Sequence, residues 1–175
     1  MTLGISASSQ ANQVNIRRVR AEDWQLVRCV RLAALADAPS AFGRTLAQDV
    51  AEPDSHWQEV TARNAAGETS CAFLALIDDV PCGYVVGVLT EPKQAELYAL
   101  WVAANVRRRG TGLALTQAVA VWARERGAER LSLKVIAANS GAVELYRRTG
   151  FDLEVAAATS CGIREDPALQ LHKRL

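Results

Sequence analysis

No apolar run in the sequence approaches the roughly 20 residues that a membrane span needs. The stretch from Met1 to Gln13 is rich in Ser, Ala and Gln. It has no basic segment followed by an apolar core, so it does not read as a signal peptide. A cytoplasmic location and a flexible lead-in over residues 1–13 are therefore expected. An excess of one charge is missing too. Lys and Arg number 20 against 19 Asp and Glu, a formal net charge of +1, and no basic run forms an arm. That speaks against a nucleic-acid partner, and the missing apolar span speaks against a membrane partner. The four cysteines, Cys29, Cys71, Cys82 and Cys161, show no Cys-x-x-Cys spacing and no Cys/His cluster. This argues against a disulfide framework and against a zinc site, and no metal is expected. The first three are expected in the core. Histidine occurs only twice. His56, in the first turn of a surface helix, reads as solvated more readily than as a base.

What is present is apolar residues, 50% of 175, enough to bury one core. Residues 14–175 are expected to form one domain with one active site. Val14 to Arg20 alternates as a half-buried strand does, and Ala21-Glu22-Asp23 opens a helix. Its apolar positions Leu26, Val27, Val30, Leu32 and Leu35 leave Arg28 and Arg31 outside. Asp37 to Gly43, with Pro39, stops that helix in a loop. Pro53-Asp54-Ser55 caps a second helix, His56 to about Asn64, with Trp57 and Val60 as its buried side. Ser70–Ile77 and Cys82–Leu89 read as a hairpin joined by Asp78 to Pro81. Gly83 and Gly87 mark places where a neighbour packs closely. The tail offers two closing strands, Leu153 to Val155 and Ala168 to Leu171, around a loop from Ala157 to Pro167.

The chain is organised around Glu96 to Phe151. The apolar run Leu97 to Val102 leads through a polar turn to Gly110-Thr111-Gly112 and then to a helix ending at Gly127. A strand at Leu131 to Ile136 follows, so strand, helix and strand form a parallel crossover. Gly110 and Gly112 let backbone approach an anion, and the first-turn N–H groups of the helix lack intrahelical acceptors. Those donors and the positive end of the helix make a pyrophosphate seat. The loop is not a P-loop, since no Lys-Ser/Thr follows, and it lacks the third glycine of a dinucleotide fingerprint.

Arg107-x-x-Gly110-x-Gly112 after a strand resembles the acetyl-CoA signature of the GCN5-related N-acetyltransferase (GNAT) superfamily. Asn139-Ser-Gly-Ala-Val-Glu-Leu-Tyr146, closed by Gly150-Phe151, resembles the same superfamily's second motif. The resemblance covers roughly the last half of the chain. It implies a three-layer α/β fold with about four helices. The mixed sheet would have six or seven strands, with a parallel pair splayed at the acetyl-CoA site. Acetyl-CoA would be the co-substrate. Leu100, Trp101 and Val102 would meet pantetheine, and a backbone N–H there would polarise the thioester oxygen. Arg107, Arg108, Arg109, Gly110, Thr111, Gly112 and Leu113 would form the pyrophosphate loop, although a solvated loop is the plain alternative for the arginines. Asn139 reads as a helix N-cap, and the resemblance adds a contact to the pantetheine amides. Tyr146 matches a tyrosine that protonates the departing thiolate; the alternative is packing on pantetheine.

A primary amine is mostly protonated at neutral pH and must lose a proton. Glu96 matches the base position of the histone-type members, with Tyr98 on the same face as a substrate-binding residue. A plain strand-start carboxylate is the alternative. Phe42 either walls the acceptor site or packs in the core. Lys134 stands where ribosomal-protein acetyltransferases carry an acid, which lowers the case for that substrate class. Glu165 and Asp166, with Glu96, would give a cationic substrate an acidic mouth, or form an ordinary charged loop. The expected function is direct acetyl transfer to a small-molecule amine in a ternary complex. No thiol has an adjacent histidine, so no covalent acetyl-enzyme is required. A protein acetyltransferase and a non-catalytic CoA-binding module are the alternatives. Superfamily dimers are common, which leaves a homodimer open.

Overall fold

The computed structural model describes residues 13–153, 159–160 and 167–175. The elements run β1 (Asn15–Arg18), α1 (Trp24–Asp37), α2 (Leu46–Val50), α3 (Asp54–Ala66), β2 (Ser70–Ile77), β3 (Val80–Glu91) and β4 (Gln94–Val102). They continue as α4 (Thr111–Glu125), β5 (Arg130–Ile136), α5 (Ser140–Arg148), β6 (Asp152–Leu153), β7 (Thr159–Ser160) and β8 (Pro167–Arg174). One mixed sheet has the order β1-β2-β3-β4-β5-β8-β6, and the two-residue β7 shares an edge of β8. Every pairing is antiparallel except β4 with β5. Helices α1 and α3 cover one face through Val27, Val30 and Trp57, which pack with Leu74, Leu76 and Tyr84. Helix α4 covers the other through Leu115, Val119 and Trp122. The result is the expected three-layer architecture, with helices on both sides of a sheet that contains one parallel pair.

Local chemistry explains the elements. The β2–β3 hairpin closes through two residues, Asp78 at φ 49° and Asp79 at φ 62°, the backbone a tight twisted hairpin demands. The turn is shorter than Asp78 to Pro81, and Val80 already pairs with Ile77. A Cβ on Gly87 would come within 2.8 Å of Val119 Cγ1, and one on Gly83 within 3.1 Å of Leu115 Cδ1. These two positions let α4 lie close on β3, as expected. Gly127, at φ 80°, ends α4, and Ala128 N donates back to Ala123 O at 2.9 Å.

Four expectations need correction. Helix α2 lies between Gly43 and Pro53, a stretch for which the sequence offered no element; Thr45 and Gln48 form a reciprocal capping box that starts it. Helix α3 begins at Asp54 after Pro53, with no side-chain cap. Its first-turn carboxylate instead accepts from Arg28 Nη1 at 3.3 Å. Cys29 is exposed on α1, whereas Cys71 and Cys82 are buried. Burial pushes the Cys71 thiol up to about 12, so it stays an inert thiol at neutral pH. Strand β8 runs on to Arg174, past Leu171. Residues 1–12, Val155, Cys161, Glu165 and Asp166 lie outside the described residues.

Candidate active site

The site begins with a miscount between neighbouring strands. β4 pairs with β5 in parallel only from Gln94↔Arg130 to Leu97↔Leu133. On its other edge β4 pairs with β3 at Val86↔Tyr98 and next at Tyr84↔Trp101, so β4 spends one residue more than β3 over this span. The extra residue is a bulge, and Ala99 within it has φ 55°, in the left-handed region. A bulge bends its strand. β5 meanwhile stays tied to β8 as far as Ile136↔Ala168. The two parallel strands therefore part after Leu97. The facing backbone edges of Tyr98–Leu100 and Lys134–Ile136 have no ladder partners, which leaves amide donors and acceptors ready to pair with an extended ligand.

A cleft of about 470 Å³ opens at this wedge and runs toward α1 and α3. Of the residues singled out from sequence, it brings together Phe42, His56, Glu96, Tyr98, Leu100, Asn139 and Tyr146. Asn139 caps α5, its Oδ1 accepting from Ala142 N at 3.1 Å. About two turns further along α5, Tyr146 is buried, its ring edge-on to Phe151 with centroids 5.7 Å apart. Burial raises its phenol above the ordinary tyrosine value, so Tyr146 keeps its proton at neutral pH. Tyr98 is also raised, first by burial and then by the neighbouring Glu96 carboxylate. His56 stands at the mouth, its Nδ1 3.7 Å from Glu52 Oε2.

The remaining predicted residues lie elsewhere. Trp101 turns toward α1, where its Nε1 donates to Asp37 Oδ2 at 2.9 Å. Arg107 is also committed to Asp37, and its Nε donates to the Val102 carbonyl at 2.8 Å. The indole N–H, and with it the Arg107 guanidinium, holds Asp37 below the usual carboxylate range. Arg107 thus anchors the loop before α4, while Arg108 and Arg109 are exposed. Gly110, at φ 83°, is the N-cap of α4 and offers no side-chain cap. The first helical bond runs from Ala114 N to Gly110 O at 3.0 Å, which leaves the N–H groups of Thr111, Gly112 and Leu113 open. Thr111 Oγ1 is buried there without a hydrogen-bond partner. A Cβ on Gly112 would sit 2.9 Å from Leu145 Cδ2, so this glycine lets α4 start against α5. An orphaned hydroxyl beside uncapped amides suits a phosphate.

The cleft also gathers residues the sequence reading passed over or faced outward. Arg31 turns into it instead of lying outside. Its Nε donates to Asp49 Oδ2 at 2.8 Å, and its guanidinium lies 4.8 Å from the Phe42 ring centroid. Arg44 Nε donates to Asp49 Oδ1 at 2.5 Å and its Nη2 pairs with Glu52. Burial opposes the Asp49 charge, but the Arg44 and Arg31 guanidiniums outweigh it and hold the carboxyl below the usual range. The signal available in sequence was the Thr45-x-x-Gln48 cap, which places Asp49 on a helix facing α1.

Because Asp49 has a lowered folded value, the stability it adds is full above about pH 4, its unfolded value, and fades as pH falls through the folded one. D49N should therefore cost about 2 kcal/mol at pH 7. That gap should narrow toward pH 3 in parallel thermal melts. A gap that stays constant with pH would remove the ion pair as its cause.

The unpaired backbone of the wedge and the open start of α4 fit a transferase that binds an extended co-substrate. Sequence and structure comparisons agree. Residues 32–151 match the model of the acetyltransferase (GNAT) family, and the chain belongs to that family. An uncharacterized N-acetyltransferase of Methanocaldococcus jannaschii is 30% identical over 86 residues, 46% of this chain and 38% of that protein. The chain thus matches well under half the length of that curated relative. Among solved structures, a GNAT acetyltransferase from Streptococcus pneumoniae superposes with a TM-score of 0.79 at 18% identity, over 93% of this chain and 99% of that one. YncA of Salmonella typhimurium, solved with its cofactor acetyl-CoA, superposes at 0.75 with 16% identity, over 94% and 95%. At those identities the likeness concerns the fold. No helix among the described residues is long and apolar enough to cross a membrane.

Proposed function

We propose that the domain formed by residues 14–175 transfers the acetyl group of acetyl-CoA to the amine of a small molecule, by direct attack within a ternary complex. The observation that carries this reading is the wedge between β4 and β5, because its unpaired amide edges open into one cleft that Tyr146, Glu96 and Tyr98 all line. The co-substrate supplies the activated acetyl group. Everything else falls to this chain. The edges of Tyr98–Leu100 and Lys134–Ile136 hold the pantetheine amides, and Asn139 adds a side-chain contact. The N–H groups of Thr111, Gly112 and Leu113, with Thr111 Oγ1, take the pyrophosphate, flanked by Arg108 and Arg109. Glu96 receives the proton of the incoming ammonium, directly or through water, and the Tyr146 phenol donates a proton to the leaving sulfur. Phe42 and Tyr98 wall the acceptor half.

A cleft of about 470 Å³ holds a small amine beside the reactive end of the cofactor, which favours a small molecule over a protein segment. Calorimetry with acetyl-CoA, followed by mass spectrometry after incubation with a mixed amine panel, tests the reading. One cofactor bound per chain and one acetylated small amine are expected. Acetylated peptides alone would overturn the small-molecule acceptor, and absence of cofactor binding would overturn the whole assignment.

A further inference from the structure

The acceptor half of the cleft is held together by ion pairs that use up some of its charges and leave others open. Asp49 accepts from both Arg31 and Arg44, and Arg44 also takes Glu52. Those two carboxylates are spent. Arg31 is engaged only through Nε, and its Nη1 and Nη2 have no partner among the described residues. The guanidinium cannot drift, because Asp49 grips one side, Phe42 lies against its face, and its side chain is only 15% exposed. Lys134, also lining the cleft, makes no ion pair among the described residues. Glu96 pairs with Ser132 across the parallel register, so Lys134, two residues on, shares the sheet face of Glu96 and Tyr98. The open charges are thus one carboxylate, Glu96, and two cations.

We infer that the acceptor is an amine that also carries a carboxylate, a free amino acid, whose carboxylate is read by the open Nη edge of Arg31 while its amine sits toward Glu96. A planar guanidinium fixed by a second-side carboxylate presents two parallel N–H groups, the shape that receives a carboxylate bidentately. Lys134 adds positive charge to the same floor. Trp57, Val60, Tyr84 and Val86 complete the lining with largely apolar surface, which suits an apolar side chain. Polyamines, all cation, meet repulsion from Arg31 and Lys134, and a peptide N-terminus lacks the carboxylate. This inference rests on the acetyl-transfer reading of the cleft.

The test compares, for the full chain with saturating acetyl-CoA, matched acceptors: leucine and phenylalanine, their amides, and their decarboxylated amines. The free acids should exceed both partners in kcat/KM by about 10- to 100-fold, the range of a charge-assisted hydrogen bond. R31Q should collapse that ratio toward one through KM, and R31K should keep part of it. Calorimetric acetyl-CoA affinity should be the same in all three proteins. Equal use of acid and amide by the wild type would overturn the inference, as would acetylation of no free amino acid by a protein that binds acetyl-CoA. A chain that fails to bind acetyl-CoA would refute the transfer reading itself, and this inference with it.

Discussion

Y146F is expected to lower kcat about 100-fold or more while leaving acetyl-CoA affinity within about twofold, the pattern of a lost general acid. The ring is buried against Phe151 and loses only an oxygen, so packing survives. Its burial makes the proton harder to release to water. A phenol whose value exceeds about 10 gives its proton to a thiolate of about 8.5 only as the carbon–sulfur bond breaks, when the sulfur is most basic. Because the raised phenol does not titrate between pH 6 and 9, the variant should keep the shape of the wild-type pH profile in that window. Steady-state kinetics with calorimetry decide the matter. An unchanged kcat would leave Tyr146 as a packing residue alone.

W122A is expected to have the largest effect on stability. Trp122 is 2% exposed in the last turn of α4, beneath Gly87, and its Nε1 donates to the Gly67 carbonyl at 3.0 Å. Removing the ring leaves a cavity and an unpartnered carbonyl, together about 3–5 kcal/mol. For a chain of this size that lowers Tm by about 10 °C. W122F should cost less, since it keeps most of the apolar volume and forfeits the hydrogen bond. Thermal and urea melts of both variants measure this. A W122A loss below about 1 kcal/mol would show that α4 does not depend on this anchor.

Much of the fold was legible because its signals are local. The β-rich apolar run matched Ser70–Ile77 to the residue, and the two glycines of β3 announced the close approach of α4. The site was legible in part. Asn139 and Tyr146 follow from one helical motif, and both line the cleft. Trp101 and Arg107 read differently, because what they do depends on Asp37, 64 and 70 residues away in sequence. No periodicity reports a partner at that separation. Arg31 looked outward for a similar reason. An arginine among apolar neighbours reads as solvated until a buried carboxylate from another helix, here Asp49, is placed beside it. Helix α2 went unread because five residues carry too little periodicity to outweigh the Gly and Pro around them.

The bulge at Ala99 has a consequence for how this protein tolerates change. What separates β4 from β5 is the number of residues between Tyr98 and Trp101, not the identity of any one of them. The wedge is in this sense an arithmetic feature, indifferent to most replacements of the side chains that border it and intolerant of a one-residue insertion or deletion in β3 or β4. The count of residues along these two strands, more than their identity, is what holds the cleft's place in the chain.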